Sequence, residues 1–221
     1  MKEPIFEMGC WVSDIPPPSA MGLSSRYGEW YPHQDQAFLW ISDWLAGDES
    51  KVAGVCAPTG SGKSVLAMLA GLVSGRRTII LTGTKALQDQ YREQFPDTVT
   101  DLRGARSYGC AVEPRISAEE GVCKLGYPCS CKDSGECAYW EAIRRARKSE
   151  LVLTNYHCWL AHGKTGSLGE AQLLVLDEAH QAYDALCSFL AVEIEEQELT
   201  MVGLQRPETG NGAVDDVVAT I

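Results

Sequence analysis

The chain has 221 residues, of which 45% are hydrophobic and 22% charged, a composition typical of a folded globular protein with room for one domain and an insertion, or for two small domains. It has no apolar run of about 18 residues, and its acidic start lacks the apolar core of a signal peptide, so we expect no membrane span and a cytoplasmic location. The net charge of −11 argues against a nucleic-acid partner.

Net charge is an average, however, and a binding groove needs only local positive charge. The basic residues cluster at Arg76-Arg77, at Arg103 and Arg106, and at Arg144-Arg145-Arg147-Lys148. The composition therefore leaves a nucleic-acid partner open.

The predicted elements alternate between helices and strands. After an irregular lead-in with three consecutive prolines, hydrophobic periodicity predicts helices at 34–45, 65–73, 86–95 and 138–148. Short apolar runs predict strands at 52–56, 78–81, 151–154 and 173–176. Residues 101–137 have little periodicity and indicate an irregular insertion. This order predicts the α/β class, a parallel sheet with helices on both faces.

A candidate phosphate-binding loop lies between the predicted strand at 52–56 and the helix at 65–73. Glycines at 60 and 62 allow backbone N–H groups to turn towards a triphosphate, and the following helix directs its N-terminus at the negative charge. Lys63 can reach the β- and γ-phosphates, and Ser64 can ligate Mg²⁺. The pattern departs from a P-loop only in its first residue. The candidate nucleotide-binding residues are Ala57, Pro58, Thr59, Gly60, Ser61, Gly62, Lys63 and Ser64.

Acidic residues follow the last predicted strand, as Asp177-Glu178-Ala179-His180. An acid at the carboxyl end of a buried strand is where a parallel sheet presents functional groups. We expect Asp177 to hold Mg²⁺ and Glu178 to orient and deprotonate the attacking water.

Five of the nine cysteines lie between residues 110 and 137, and in a reducing compartment such a cluster favours a metal site over disulfides. The paired spacing of structural zinc sites is absent, but spacing alone does not decide between Zn²⁺ and a [4Fe–4S] cluster. One cysteine is spare, and Cys129 and Cys131 are separated by a single residue. The candidate ligands are Cys110, Cys123, Cys129, Cys131 and Cys137.

Taken together, the motifs resemble the superfamily 2 iron–sulfur DNA helicases of the DinG/XPD type over residues 26–190. Tyr31-Pro32-His33-Gln34 resembles the family's adenine-reading segment, with Gln34 as the reading residue, and residues 82–90 resemble a segment that contacts DNA. Residues 104–110 and 137–139 look like the entry to and exit from the family's cluster, and Leu151 to Tyr156 is similar to its Thr-Asn-Tyr segment.

The resemblance implies an enzyme, an ATP-hydrolysing DNA helicase of the DEAH type that moves on single-stranded or forked DNA, with a place in DNA repair. It implies ATP, Mg²⁺ and a [4Fe–4S] cluster as cofactors. The implied cluster ligands are Cys110, Cys123, Cys129 and Cys137, with Cys131 as the alternative to Cys129. His180 is expected to link the nucleotide site to the DNA side. Arg103 and Arg106 are candidate phosphate contacts.

The implied organisation begins with an N-terminal lead-in at residues 1–25. A RecA-like motor domain follows in two parts, 26–100 and 141–190, with the cluster insertion at 101–140 between them. Residues 191–221 are the start of an arch-like insertion or a truncated tail. Nothing after residue 180 resembles the second motor domain. We therefore expect a truncated helicase that binds nucleotide weakly alone, does not unwind DNA, and needs a second domain, which another chain could supply.

Two further interpretations stay open from the residues. One is a non-catalytic iron–sulfur module that binds DNA and regulates a partner, although Lys63, Asp177 and Glu178 are all present. The other is a zinc-stabilised P-loop ATPase of a different class. The identity of the metal distinguishes the second from the helicase.

Overall fold

The computed structural model describes residues 15–47, 50–124, 126–163 and 165–191. Its helices are α1 (Gln34–Ala46), α2 (Lys63–Ser74), α3 (Lys85–Gln94), α4 (Cys131–Ser134), α5 (Ala138–Lys148), α6 (Tyr156–Gly163) and α7 (Gln181–Leu190). Its strands are β1 (Thr78–Thr82), β2 (Thr100–Asp101), β3 (Leu151–Asn155) and β4 (Leu173–Leu176). Short 3-10 turns lie at Pro18–Met21, Ser25–Tyr27 and Ala105–Ser107.

The four strands form a parallel sheet in the order β2–β3–β1–β4. β1 is central, and its Thr78 lies opposite Leu151 of β3 and Leu173 of β4. All residues of β1 and β3 are buried, as expected for continuous β-branched and aliphatic runs covered on both faces. Because the strands are parallel and in register, their carboxyl ends meet at one edge of the sheet.

Each face of the sheet has its own apolar core, because successive side chains of a strand point to opposite faces. Ile79, Leu81 and Val152 pack with α5 and α6, whereas Ile80 and Leu153 pack with α1, α2 and the Tyr91 side of α3. Helices therefore cover both faces, which confirms the predicted α/β class and its RecA-like arrangement. None of the described helices is both long and apolar enough to span a bilayer.

Most of the predicted elements are confirmed, several to within one residue at each end. The sequence did not predict β2, α6 or α7. The predicted strand at 52–56 is wrong: these residues have no regular structure, and Val52 is 81% exposed. An apolar run becomes a strand only where a neighbouring strand pairs with it, and within the described residues none does so here.

The region predicted as an insertion is irregular in the described part of the chain. Between β2 and α5 it contains one 3-10 turn, the four-residue α4 and an isolated bridge between Gly109 and Ser117. Cys131 and Cys137 are buried and pack in the same core as α5. Residues up to Leu186 form one compact unit and those from Cys187 a second, of which only 187–191 are described. The predicted domain boundaries stay predictions. Of the predicted segment at 191–221, residues 192–221 lie outside the described part of the chain.

A buried glutamine on α3 joins the helix to two strands. The Gln88 amide nitrogen donates to the Leu102 carbonyl (2.9 Å) and to the Asp101 carboxylate (2.5 Å), while its oxygen accepts from the Asn155 side chain (3.2 Å). Gln88, Leu102 and Asn155 are all buried, so the last two cannot turn to water if the glutamine amide is lost.

We predict that Gln88→Met, which keeps the volume but removes the amide, lowers the free energy of unfolding by about 2–3 kcal/mol, because the buried Asn155 amide loses its acceptor. The measurement is equilibrium unfolding in urea. Gln90→Met on the exposed side of the same helix is the control and should change stability by less than about 0.5 kcal/mol. Equal effects of the two substitutions would contradict the prediction.

Candidate functional site

The phosphate-binding loop has the backbone conformation that its glycines were predicted to supply. Gly60 and Gly62 have φ angles of 80° and 81°, in the left-handed region that side-chain-bearing residues rarely adopt. A Cβ atom at Gly62 would also collide with the side-chain amide of Gln34. α2 begins at Lys63, directly after Gly62, so the helix N-terminus faces the loop.

Two polar groups of this loop, the Lys63 ammonium and the Ser61 hydroxyl, differ in their hydrogen bonding. The Lys63 ammonium donates to the carbonyls of Ala57 (2.9 Å) and Pro58 (3.1 Å), so the side chain folds back over its own loop. The Ser61 hydroxyl is buried and has no hydrogen-bond partner among the described residues. A buried hydroxyl without a partner is costly, and an anionic oxygen at the loop would satisfy it.

Gln34 connects α1 to the phosphate-binding loop. It is buried, and its amide nitrogen donates to the Gly62 carbonyl (3.1 Å) while its oxygen accepts from the Tyr31 backbone (3.1 Å). The side chain is therefore held against the loop by both of its polar atoms. Its predicted role in reading adenine stays a prediction.

Asp177 lies at the carboxyl end of β4 and is held from several sides. Its backbone N–H donates to the Leu81 carbonyl of β1 (2.9 Å). One carboxylate oxygen accepts from the Tyr91 hydroxyl (2.8 Å), and the other from the Glu178 N–H (3.0 Å). The Tyr156 hydroxyl donates to the Asp177 carbonyl (3.0 Å). This carboxylate has little freedom to turn.

Both tyrosines stay protonated at ordinary pH. Burial, followed by the nearby Asp177 charge, raises the pKa of Tyr91 well above its usual value. The same two causes raise the pKa of Tyr156 to about 12. At neutral pH each phenol therefore acts as a hydrogen-bond donor to Asp177.

The two predicted Mg²⁺ ligands lie beside one face of α3. Tyr91 and Gln94 are three residues apart, so their side chains project from the same side of the helix. Tyr91 contacts Asp177, and the Gln94 oxygen accepts from the Ser64 hydroxyl (3.3 Å). The sequence alone did not identify Tyr91 or Gln94 as site residues, and it gave Tyr156 only as part of the Thr-Asn-Tyr segment. The signal for the first two was their three-residue spacing on the helix that follows a central strand.

Glu178 and His180 are less constrained than Asp177. Glu178 has a φ of 51°, unusual for a residue with a side chain, and its carboxylate lies 3.4 Å from the His180 imidazole. Within the described residues neither side chain bonds to the phosphate-binding loop. Their predicted roles in activating water and in coupling to DNA stay predictions.

The clustered cysteines are free thiols, and they are not gathered into one ligand set. Cys131 and Cys137 are buried, while Cys110, Cys123 and Cys129 are half-buried. Burial, then the neighbouring Cys129 thiol, raises the pKa of Cys131. Among the described residues, no three cysteine, histidine or acidic side chains are arranged as a metal site. The ligand assignment stays a prediction.

The two arginines expected beside DNA are paired with acids. Arg103 contacts Asp101 (2.8 Å) and Asp89 (2.5 Å), and Arg106 contacts Glu119. The Arg103 hydrogen bond lowers the pKa of Asp89, so that carboxylate is charged at neutral pH. The Arg103 charge is compensated by two acids, which weakens it as a phosphate contact, whereas Arg106 is 79% exposed and forms one surface ion pair.

Comparison with known proteins gives the family. The family model for the DEAD/DEAH box helicases matches residues 31–192, and the chain belongs to this family. The ATP-dependent DNA helicase YoaA of Haemophilus influenzae is 23% identical over a match that covers 65% of this chain and 32% of that protein. The chain thus spans about a third of the length of the curated relative it matches. Together these findings confirm the resemblance to the N-terminal portion of a DinG-type helicase.

We predict that Tyr91→Phe destabilises the protein more than Tyr156→Phe. The Tyr91 hydroxyl donates to a carboxylate, worth about 1.5–3 kcal/mol, whereas that of Tyr156 donates to a neutral carbonyl, worth about 0.5–1.5 kcal/mol. Urea unfolding of the two variants, each of which loses a single hydroxyl, measures the difference. An equal or larger loss for Tyr156→Phe would contradict the prediction.

Proposed function

We propose that this chain is the ATP-binding motor portion of an ATP-dependent DNA helicase, and that it binds ATP, Mg²⁺ and single-stranded DNA. The observation that carries the proposal is the shared contact with α3: Gln94 bonds to Ser64 of the phosphate-binding loop, and Tyr91 bonds to Asp177 after β4. This is the pair of groups that an ATP–Mg²⁺ complex needs on its two sides.

The residues at the loop fit a triphosphate. The N–H groups after Gly60 and Gly62, the start of α2 and the partnerless Ser61 hydroxyl all favour an anion. Lys63 would exchange its two carbonyl contacts for phosphate oxygens. The bound nucleotide supplies the phosphoanhydride bond whose cleavage drives the motor.

The proposed Mg²⁺ ligands are Ser64 and Asp177, whose hydroxyl and carboxylate are the hard oxygen donors that this ion prefers. Bound Mg²⁺ would neutralise charge on the β- and γ-phosphates. The Tyr91 hydroxyl and the Glu178 N–H hold the Asp177 carboxylate in one orientation. Its side chain would therefore lose less conformational entropy when the ion binds. We assign Glu178 to the attacking water, and His180, its neighbour at 3.4 Å, to coupling with the DNA side.

We also propose that residues 101–140 hold a [4Fe–4S] cluster through Cys110, Cys123, Cys129 and Cys137, with Cys131 as the alternative third ligand. The donor set supports this: five free thiols lie within one irregular segment, and four thiolates are what such a cluster requires. Cys131 and Cys137 are anchored in the core beside α5, which would tie a cluster rigidly to the motor.

Because the chain spans about a third of the relative, strand separation, forked substrates and a role in DNA repair are proposed for the whole protein. For this chain the proposal is limited to the nucleotide, the metal ions and single-stranded DNA.

We predict that Lys63→Ala weakens binding of a fluorescent ATP analogue with Mg²⁺ by about 10- to 100-fold, the effect of one lost charge-assisted hydrogen bond. Fluorescence titration measures the dissociation constant. Lys51→Ala, an exposed lysine outside the loop, is the matched control and should leave it unchanged. Equal affinity of wild type and Lys63→Ala would overturn the proposed nucleotide site.

Protein purified without oxygen should contain about four irons and four sulfides per chain and be brown. Substituting Ser at Cys110, Cys123 or Cys137 should reduce the iron content, and comparing Cys129→Ser with Cys131→Ser identifies the third ligand. Cys158→Ser, which changes a buried cysteine of α6, is the control and should retain the iron. Zinc in place of iron would favour an ATPase of another class.

A further inference from the structure

A cavity of about 640 Å³ lies between α5, α6 and the cysteine-rich segment. We call it the α5–α6 pocket, and its size is that of a small-ligand or nucleotide-sized site. Its wall carries four cationic side chains and one acid, Asp133. The four cations are Lys124, Lys132, Arg144 and Arg147.

Among the described residues, three of the four cations have no acidic partner. Arg144 is paired with Glu141 (2.8 Å), but in the described part of the chain Lys124, Lys132 and Arg147 form no ion pair. This contrasts with Arg103 and Arg106, both of which contact carboxylates. The pocket therefore concentrates uncompensated positive charge in a protein of net charge −11.

Aromatic rings hold the two lysines at the pocket. The Lys124 ammonium lies 4.8 Å from the Tyr139 ring centroid and donates to its hydroxyl (3.0 Å), and the Lys132 ammonium lies 4.4 Å from the Trp140 ring. Tyr139 in turn contacts the buried His162 (3.4 Å), whose other ring nitrogen bonds to Ser167 (2.6 Å). The ring contacts orient the two exposed lysines at the pocket, and the Tyr139 ring is itself held by His162.

The α5 side of the pocket is a single stripe of the helix. Trp140, Arg144 and Arg147 follow one another at spacings of four and three residues, so they lie on one face, and all three line the cavity. Arg145 and Lys148 lie on the same helix but do not line it. The basic cluster read from the sequence is thus divided between two faces.

We propose that the α5–α6 pocket binds phosphate groups of a single-stranded DNA backbone through Lys124, Lys132 and Arg147. This rests on the proposed function, because the strand is that of the motor. Phosphate contacts require unpaired cations rather than base-specific groups, and binding here is independent of base sequence. The site replaces Arg103 and Arg106 as the main backbone contact.

The test is fluorescence anisotropy of labelled oligothymidylate with the full chain, without nucleotide, over a range of salt. Lys132→Ala with Arg147→Ala should weaken binding at least about tenfold and reduce the salt slope by about 1.4, since each phosphate contact on a single strand contributes about 0.7. The matched control, Arg145→Ala with Lys148→Ala, removes the same charge from the same region outside the pocket and should change the slope by less than half as much.

A second, charge-conserving variant tests whether a loss of affinity comes from misfolding. Lys132→Arg with Arg147→Lys keeps the charge and should retain affinity, and urea midpoints of all variants should agree. Equal losses in the pocket and control variants would overturn the proposal, as would a wild-type chain that does not bind the oligonucleotide.

Two further measurements distinguish DNA phosphates from those of free nucleotides, and the pocket from the motor site. Loss of ATP-analogue binding in the pocket variant, with oligothymidylate affinity unchanged, would assign the pocket to free nucleotides and also overturn the proposal. The Lys63→Ala titration tests the motor site alone, so failure there is distinguishable from failure of DNA binding at the pocket.

Discussion

One face of α3 is the contact on which the nucleotide site depends. Tyr91 and Gln94 reach Asp177 and Ser64, so a single rigid element contacts both sides of the site. Tyr91 is fully buried and its ring lies 5.8 Å from that of Phe95, which stacks in turn on Tyr27. The position of the Asp177 carboxylate is therefore set by the apolar core, and packing determines the geometry of a polar site.

The sheet contributes the other constraint. β1 pairs with both β3 and β4, and because all strands are parallel, Thr82, Asn155 and Asp177 come to the same edge. The phosphate-binding loop, in contrast, is not joined to the sheet by a strand at 52–56. It is positioned by Gln34 on α1 and by Gln94 on α3, two side-chain hydrogen bonds from different elements.

The sequence predicted those features that depend on local chemistry. Continuous β-branched runs identified β1 and β3, and the glycines at 60 and 62 identified the turn of the loop, because φ near 80° requires them. It did not predict β2, which has two residues, or α6, which begins directly where β3 ends. The strand expected at 52–56 failed because pairing depends on a partner distant in sequence. For the same reason the pairing of Arg103 with Asp89, 14 residues away, could not be read from composition.

The distribution of charge bears on the proposed DNA contact. A net charge of −11 disfavours a phosphate backbone on average, and acids contact both Arg103 and Arg106. Attraction then depends on cations that have no acidic partner within the part of the chain that the structure describes. Rings of Tyr139 and Trp140 hold Lys124 and Lys132 in this way, since an aromatic face orients an ammonium group without cancelling its charge. An acidic protein can thus bind a strand at one site while disfavouring it elsewhere.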